Sequence, residues 1–409
     1  MPVASDRPRW PHPFLRLFHW DIPAFRVFGA AGFAAGGITG LGVARALGAG
    51  LGTVGAMFVL AIVTYLALAA LATVLTGQPA LVFYHHAVAV ALVLVVALAW
   101  WERPVLAYLD VFAVSMMAFL AVARLGCLTV GCCHGRPHHP RTPLGAVVYG
   151  EAHADDGFSH HLVGVPLFPV QAVEATGAAL LAVGSLAWAA LAPPRPGDLL
   201  GVVVVGYALL RYRIEGLRGD PGRVEVRRLT AARLTSVALA VAVVGGAAAG
   251  VVPWQAWYSL AAVMLVAAAG RRAMATPGPW DLDVLLHPDH VAELADLLAL
   301  ADDRTTPERI AVAETSSGLL LSTTTVAFDD WMAHGTVVTL SSARDEPLPE
   351  LAAFAVGRLL ATMRQPEGGA SLHAGGSGVF HVVLVNDAGP VVDEVAVSDS
   401  VAWRRALLG

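Results

Sequence analysis

Long runs of apolar residues, separated by short polar stretches, fill the chain between residues 25 and 270. A run of about 20 apolar residues is long enough to cross a bilayer as an α-helix. The pattern predicts such helices near residues 25–47, 51–75, 80–100, 105–127, 169–192, 198–215, 232–251 and 254–270. The last segment is short, so the prediction is an α-helical polytopic membrane protein with seven to eight transmembrane helices.

The pattern changes after Arg272, where Pro277, Gly278 and Pro279 indicate a linker. The residues beyond it alternate in the way that soluble helices and strands do. We expect helices at Leu282–Leu300 and Leu348–Met363, strands at Ile310–Ser322, Thr336–Ser341, Val379–Val385 and Val391–Val397, and a hairpin turn at Asn386–Gly389. The predicted organisation is a tail (1–24), a transmembrane domain (25–272), a linker (273–280) and a small C-terminal α+β soluble domain (281–409) with no catalytic motif.

The composition agrees with this division. Hydrophobic residues make up 56% of the chain and charged residues 14%, with a mean hydropathy of +0.65, whereas soluble domains carry roughly 25% charged residues. A net charge of −5 gives no reason to expect nucleic acid as a partner. The three cysteines are clustered and odd in number, so they do not form a disulfide framework.

The stretch Ala123–Pro137, ARLGCLTVGCCHGRP, holds all three cysteines and lies where an apolar segment gives way to a polar loop. An arginine at the edge of a hydrophobic segment is costly unless an anionic group is near it. Glycine at this density lets the backbone approach a ligand closely. The stretch therefore predicts a binding site, and its chemistry depends on the motifs that share it.

Three further motifs lie at the ends of predicted helices: Tyr84-His85-His86, Pro169–Glu174 and Tyr207–Glu215, the last continuing to Arg218. Residues three or four apart share a helix face, so Gln171 can lie beside Glu174, and Arg211 can pair with Glu215. The predicted topology brings all the motifs to one membrane face, which indicates a shared polar cavity.

Arginine suits phosphate because its guanidinium group is forked. We therefore expect Arg124 and Arg211, inside apolar helices, to bind an anion at headgroup depth. Four other arginines are expected only to snorkel to the membrane interface: Arg223, Arg227, Arg228 and Arg233.

Together the motifs resemble those of the prolipoprotein diacylglyceryl transferase family. Residues 123–136 are similar to the family's G-R-x-G-N-F-x-N-G-E-x-x-G-R, and residues 169–174 to its P-S-Q-L-Y-E. Residues 207–218 resemble Y-G-x-x-R-F-x-x-E-x-x-R. His85 falls where the family has F-H-G-G, and Phe25–Gly29 is similar to R-W-Y-G. The order and spacing agree over about residues 20–250.

In that family phosphatidylglycerol donates its diacylglyceryl group to the cysteine thiol of a prolipoprotein, and glycerol phosphate leaves. The resemblance implies that Arg124 and Arg211 hold the phosphate, that Glu215 orients Arg211, and that His85 is a candidate base. It also implies a substrate-binding set: Arg26, Gly126, Cys127, Gly131, Gly135, Arg136, Gln171, Glu174, Tyr207 and Arg218. No cofactor or metal is implied. The implied partners are phosphatidylglycerol, a prolipoprotein or other thiol acceptor, and the lipid bilayer of a bacterial cytoplasmic (inner) membrane.

The chain departs from the family at several site positions. Cys127 and Val130 stand where the family has asparagines, Cys132 replaces its glutamate, and Phe28 replaces its first-helix tyrosine. His86-Ala87 replaces the Gly-Gly of the histidine motif. Because of these changes, the protein could use another acceptor or catalyse another lipid-headgroup reaction. It could also be an inactive relative that only carries the soluble domain.

A metal or redox site built from the cysteines and loop histidines is a further alternative. The spacing C-x4-C-C-H is not a standard zinc motif, and vicinal cysteines are poor partners for one tetrahedral ion. Cys127 and Cys132 could form a disulfide if the intervening turn is tight.

Overall fold

The computed structural model describes residues 11–17, 19–77, 83–137, 145–221, 223, 225–304, 312–328, 333–364 and 369–385. The chain divides into two compact units. The first comprises residues 1–135, 169–218 and 223–275, and the second comprises residues 136–168, 219–222 and 276–409.

The first unit is mostly helical. Its helices are α1 (Ala24–Ala46), α2 (Leu51–Thr76), α3 (Phe83–Trp100), α4 (Val105–Val130), α6 (Val170–Leu191), α7 (Asp198–Glu215), α8 (Ala231–Ala248) and α9 (Ala256–Met274); a short α5 (Glu151–Ala154) belongs to the second unit. Two small antiparallel pairs accompany them, β1 (Phe14–Leu17) with β2 (Trp20–Pro23), and β3 (Glu225–Val226) with β4 (Leu229–Thr230).

Within the described residues, five helices are long and apolar enough to cross a membrane: α1, α2, α4, α6 and α8. The shorter α3 is also apolar. The predicted segments 198–215 and 254–270 coincide with α7 and α9, so all eight segments contain a helix. Helix α7 carries four charged residues within 18 residues, namely Asp198, Arg211, Arg213 and Glu215. It is therefore more polar than the five helices named above.

Helix α4 packs against α1, α6 and α7 and lies at the centre of the first unit. Its contact with α1 is close because Gly32, Gly36 and Gly40 follow one another at four-residue spacing. A Cβ at Gly32 would lie 3.0 Å from the Phe119 carbonyl oxygen, and one at Gly40 would lie 2.5 Å from Ser115 Oγ. Small residues on one helix face allow this approach between apolar helices.

A buried carboxylate joins the start of α4 to the start of α7. Asp110 accepts the Gly197 and Leu200 backbone N–H groups, each at 2.7 Å, and thereby caps α7 from another helix. The two helices are thus aligned at their N-terminal ends. Asp110 precedes Arg124 by 14 residues, and Gly197 precedes Arg211 by the same number. At a rise of about 1.5 Å per residue, both arginines lie about 21 Å along their helices from this clamp.

The second unit contains an antiparallel sheet with strand order β5-β6-β7-β9-β8. Its elements are α10 (Leu282–Leu285), α11 (Pro288–Arg304), β5 (Val312–Glu314), β6 (Leu319–Phe328), β7 (Ala333–Ser342), α12 (Glu350–Arg364), β8 (Ala370–Gly376) and β9 (Val379–Val385). The core of this unit contains leucine and valine side chains from both helices and strands, such as Leu294, Leu340 and Val356. The predicted small C-terminal region with a sheet is confirmed.

Three details differ from the sequence prediction. The helix expected at Leu282–Leu300 is two helices, because α10 ends before Pro288, which begins α11. The strand expected at Ile310–Ser322 is a hairpin: β5 turns back into β6 at Gly318, whose φ of +84° favours glycine. Strand β8 was not predicted, since its glycines obscure the alternation. The predicted strand Val391–Val397 and the turn Asn386–Gly389 lie outside the described residues.

A buried hydrogen-bond chain joins α11 to this hairpin. His290 donates from Nδ1 to the Leu285 carbonyl oxygen (2.8 Å), and its Nε2 lies 3.0 Å from Ser317 Oγ. Thr315 Oγ1 lies 2.9 Å from Ser317 Oγ and accepts the Leu319 backbone N–H. Because Nδ1 donates, neutral His290 accepts at Nε2, and protonation would replace this acceptor with a second donor.

We predict that acid weakens this region. Burial lowers the pKa of His290 from its usual 6.5, although the Leu285 hydrogen bond and the nearby Glu293 raise it. The unfolded state therefore binds more protons than the folded state as the pH falls through about 6.5, and stability is lost in that direction. Hydrogen exchange of the full chain, corrected for intrinsic rates, should show lower protection of α11 at about pH 5.5 than at about pH 7.5. His290→Gln should remove most of this difference; an unchanged difference would contradict the assignment.

We also predict that Asp110 is required for stability. Asp110→Ala leaves two buried N–H groups without an acceptor, at a cost of about 1–3 kcal/mol each. Asp110→Asn keeps one carbonyl acceptor and should lose about half as much. Denaturant unfolding of the full chain in mixed micelles, followed by tryptophan fluorescence, measures both. Equal stabilities for the wild type and Asp110→Ala would show that the clamp does not align the helices.

Candidate active site

Two buried arginines converge on one carboxylate in the first unit. Arg124, near the end of α4, places Nε 2.8 Å from Oε2 of Glu174, which lies in the first turns of α6. Arg211 on α7 lies with its Nε 4.0 Å from the other oxygen of Glu174. All three residues are at most 7% exposed. The sequence placed Glu174 beside Gln171, and the structure places it between the two arginines.

The second oxygen of Glu174 is also bound by a hydroxyl group. Tyr207, one turn before Arg211 on α7, donates to Glu174 Oε1 at 2.6 Å. The carboxylate is thus held by groups from α4 and α7. A hydrogen bond to a charged acceptor is stronger than a neutral one, so this arrangement fixes the carboxylate firmly.

A second carboxylate orients Arg211. Glu215 Oε2 lies 2.8 Å from Arg211 Nη2, which is the i,i+4 pair expected from the sequence. Glu215 Oε1 accepts from Arg223 Nη1 at 2.8 Å, and the Thr230 side chain also hydrogen-bonds to this carboxylate. Arg211 Nη1 is buried and has no hydrogen-bond partner among the described residues.

The cluster contains more guanidinium groups than carboxylates. Four guanidinium groups, those of Arg124, Arg211, Arg218 and Arg223, surround the carboxylates of Glu174 and Glu215. In a bundle of apolar helices such a concentration of guanidinium groups favours an anionic ligand.

The cysteines lie beside this cluster, where α4 ends. Gly131 follows the helix with a φ of +78°, the left-handed conformation of a helix C-terminus. Arg124 Nη1 is 3.9 Å from Cys127 Sγ, and Gln171 Nε2 donates to the Cys132 carbonyl oxygen at 2.9 Å. Cys133 is also left-handed, with a φ of +55°, which is uncommon for a residue with a side chain.

The remaining predicted residues occupy different surroundings. Gly126 lies against α1, where an added Cβ would be 2.9 Å from Phe28 Cβ, so a close helix contact requires glycine there. Gly135 forms a backbone bridge with Arg218, which joins the segments that follow α4 and α7. Arg26 is exposed on α1, and Arg136 begins the second unit. Helix α3 includes His85, but the side chain of this residue lies outside the described part of the structure.

Comparison with known proteins identifies the family. The model of the prolipoprotein diacylglyceryl transferase family matches residues 43–249, which is half of the chain. The chain belongs to this family. It is also similar to a phosphatidylglycerol–prolipoprotein diacylglyceryl transferase from Clostridium tetani, with 29% identity over 121 residues. The match spans 30% of this chain and 44% of that relative, so less than half of the relative's length is covered.

The family match contains the whole arginine cluster and all three cysteines, and it ends before α9. The sequence resemblance and the geometry therefore identify the same region of the first unit.

Two arginines at or near the site differ from the expectation of snorkelling. Arg223 binds Glu215, and Arg233 is 6% exposed with its guanidinium 5.7 Å from the centre of the Tyr212 ring. Arg223 lies in a loop, where no helical spacing relates it to Glu215. The sequence did contain a signal that Arg233 is buried, because Arg233 lies inside an apolar segment, as Arg124 and Arg211 do.

Among the described residues, no group of three or more histidine, cysteine or acidic side chains could hold a metal ion. The loop histidines His138 and His139 lie outside those residues.

We predict that Glu174 is required to hold the arginines together. Glu174→Gln leaves Arg124 buried without its anionic partner and should cost about 3–5 kcal/mol of unfolding free energy. Tyr207→Phe removes one hydrogen bond to the same carboxylate and should cost about 1.5–3 kcal/mol. Denaturant unfolding of the full chain in micelles compares the two variants. A smaller loss for Glu174→Gln than for Tyr207→Phe would contradict the central role of the carboxylate.

Proposed function

We propose that this protein transfers the diacylglyceryl group of phosphatidylglycerol to an acceptor thiol, with a prolipoprotein cysteine as the acceptor. The observation that carries the proposal is the buried cluster in which the guanidinium groups of Arg124 and Arg211 meet at Glu174. A phosphodiester headgroup is the anion that a site within apolar helices meets most readily.

Phosphate recognition follows from how the two arginines are held. Glu174 forms an ion pair with Arg124 through Nε at 2.8 Å and lies 4.0 Å from Arg211 Nε, and Glu215 holds Arg211 through Nη2 at 2.8 Å. The Nη1 atom of Arg211 has no hydrogen-bond partner in the described part of the chain, so it is available to a phosphate oxygen. A guanidinium that is already oriented loses little conformational freedom when it binds.

The same groups support the chemical step. The acceptor sulfur forms a bond to the glycerol carbon that bears the phosphate, the carbon–oxygen bond to phosphate breaks, and the thiol proton passes to a base. Negative charge grows on the departing glycerol phosphate, and preorganised guanidinium groups stabilise it where it develops. Arg223 acts through Glu215 as a positioning residue for Arg211. We assign the role of base to His85, on the resemblance alone.

An apolar cavity of about 400 Å³ in the first unit suits an acyl chain. It lies between α1, α2, α3 and α4 and is lined by side chains such as Phe33, Met57, Val90 and Phe119. Apolar cavities of this size bind alkyl groups through their area and shape. The first unit thus combines a place for lipid tails with an arginine cluster for a headgroup.

We further propose that α3, α7 and α9 cross the bilayer together with the five apolar helices, in a bacterial cytoplasmic (inner) membrane. The charged side chains of α7 support this because they are placed at its two ends. Asp198 begins the helix, and Arg211, Arg213 and Glu215 end it, leaving the residues between them without charge.

The choice of acceptor depends on the site residues that differ from the family motifs. Cys127 and Cys132 stand where the family has asparagine and glutamate, and Cys127 lies next to Arg124. These replacements favour, as a second candidate, transfer of the same lipid group to an acceptor other than a prolipoprotein.

We predict that Arg211→Lys, which keeps the charge but removes the fork, lowers transfer about 10²-fold or more. Arg213→Lys is the matched control: it makes the same change two residues away, at an exposed position on the same helix, and should leave the rate nearly unchanged. The assay uses the purified full chain in phosphatidylglycerol vesicles, with labelled lipid and a lipobox peptide as acceptor.

Two results would overturn the proposal. Equal rates for Arg211→Lys and Arg213→Lys would show that Arg211 does not bind the phosphate. Absence of labelled product with the lipobox peptide and with a small thiol such as N-acetylcysteine would show that the site does not catalyse this transfer. Product with the small thiol alone would overturn the prolipoprotein assignment and support the second candidate.

A further inference from the structure

The three cysteines form a group of interacting thiols at the edge of the arginine cluster. The thiols of Cys127, Cys132 and Cys133 are neighbours that interact electrostatically with one another. Cys132 Sγ also lies 3.9 Å from the Cys127 carbonyl oxygen. All three thiols are free, Cys132 is exposed, and the other two are partly buried. The proposed lipid transfer uses none of them as a reacting group.

We propose that these cysteines form a thiol–disulfide exchange site, in which Cys133 attacks a low-molecular-weight disulfide and Cys127 completes an internal disulfide. Two observations carry the proposal: the mutual contact of the three thiols, and the guanidinium groups of Arg124 and Arg218 beside them. A thiolate is the nucleophile in such exchange, and nearby cations stabilise it.

Cys133 is the best nucleophile of the three. Hydrogen bonds from the Cys127 and Cys132 thiols, and then the charges of Arg218 and Arg124, hold the pKa of the Cys133 thiol well below its usual value, although burial opposes this. Cys133 lies in the left-handed turn that follows α4 and is partly exposed, so a small disulfide can approach its sulfur.

Cys127 is the better second thiol because of its place in the chain. A disulfide between the vicinal Cys132 and Cys133 closes a small ring around one peptide bond, and such a ring strains disulfide geometry. Cys127 lies in the last turn of α4, on the far side of Gly131, and its thiol already contacts both others. Arg124 Nη1 lies 3.9 Å from its sulfur and can stabilise the thiolate that the second step needs.

The exchange balances in two steps. The Cys133 thiolate attacks one sulfur of the external disulfide, a mixed disulfide forms, and one thiolate leaves. Cys127 then loses its proton, attacks Cys133 Sγ and displaces the second external thiolate. Two protein thiols are oxidised and one external disulfide is reduced to two thiols. The product joins α4 to the turn that follows it and removes a negative charge from beside Arg124 and Arg218.

The test uses the purified full chain in detergent micelles, oxidised glutathione as the probe, and maleimide labelling followed by mass spectrometry. In the wild type we expect the number of labelled cysteines to fall from three to one, and dithiothreitol to restore all three. The tryptic peptide 125–141 contains every cysteine and should be lighter by two hydrogens after oxidation. If all three cysteines of the oxidised wild type remain labelled, the proposal fails, and this measurement needs no variant.

Serine variants test the assignment of roles. Cys132→Ser should still form the internal disulfide, whereas Cys127→Ser should accumulate one glutathione on Cys133. Loss of the internal disulfide in Cys132→Ser, with its retention in Cys127→Ser, would overturn the chosen pair in favour of the vicinal one. The readout is independent of lipid transfer, so failure here and failure of the proposed transferase are distinguishable.

Discussion

The carboxylate of Glu174 is the interaction on which the first unit depends. It brings together two buried guanidinium groups, those of Arg124 from α4 and Arg211 from α7, and it is the ion-pair partner of Arg124. Arg211 has a second carboxylate partner in Glu215. These ion pairs hold both guanidinium groups in the bundle, while Arg211 Nη1 stays without a hydrogen-bond partner among the described residues.

This arrangement requires the two arginines to lie at the same depth, and the fold provides that from the opposite end of the helices. Asp110 ties the start of α7 to α4, and equal numbers of residues then lead to Arg124 and Arg211. Two rigid helices aligned at one end remain aligned at the other. The glycine face of α1 supports the same alignment because it holds α4 in close contact with α1. A buried acidic group far from the cluster thus sets the geometry of the cluster.

The sequence predicted much of this because the signals were local. Apolar runs located each helix of the first unit, and the four-residue spacing of Arg211 and Glu215 predicted their ion pair. The contacts that were not predicted join residues without a periodic relation. Examples are Arg223 with Glu215, through a loop, and Asp110 with the N-terminus of α7. In the second unit, the turn at Gly318 was missed even though the polar residues Thr315, Ser316 and Ser317 precede it and are typical of a turn.

The site residues that match the family motifs and those that differ from them occupy different parts of the site. The groups that face an anion, Arg124, Arg211 and Glu215, agree with the family motifs and form one bonded cluster. Of the residues that differ, Cys127 lies in the last turn of α4 and Cys132 follows the helix. A thiol is uncharged when protonated and negative when ionised, so the cysteine group can add to or withdraw from the charge balance of the cluster. An asparagine side chain does not ionise, and a glutamate side chain does not form a disulfide. Replacing these side chains by cysteines therefore retains the polar wall and makes its charge responsive to oxidation.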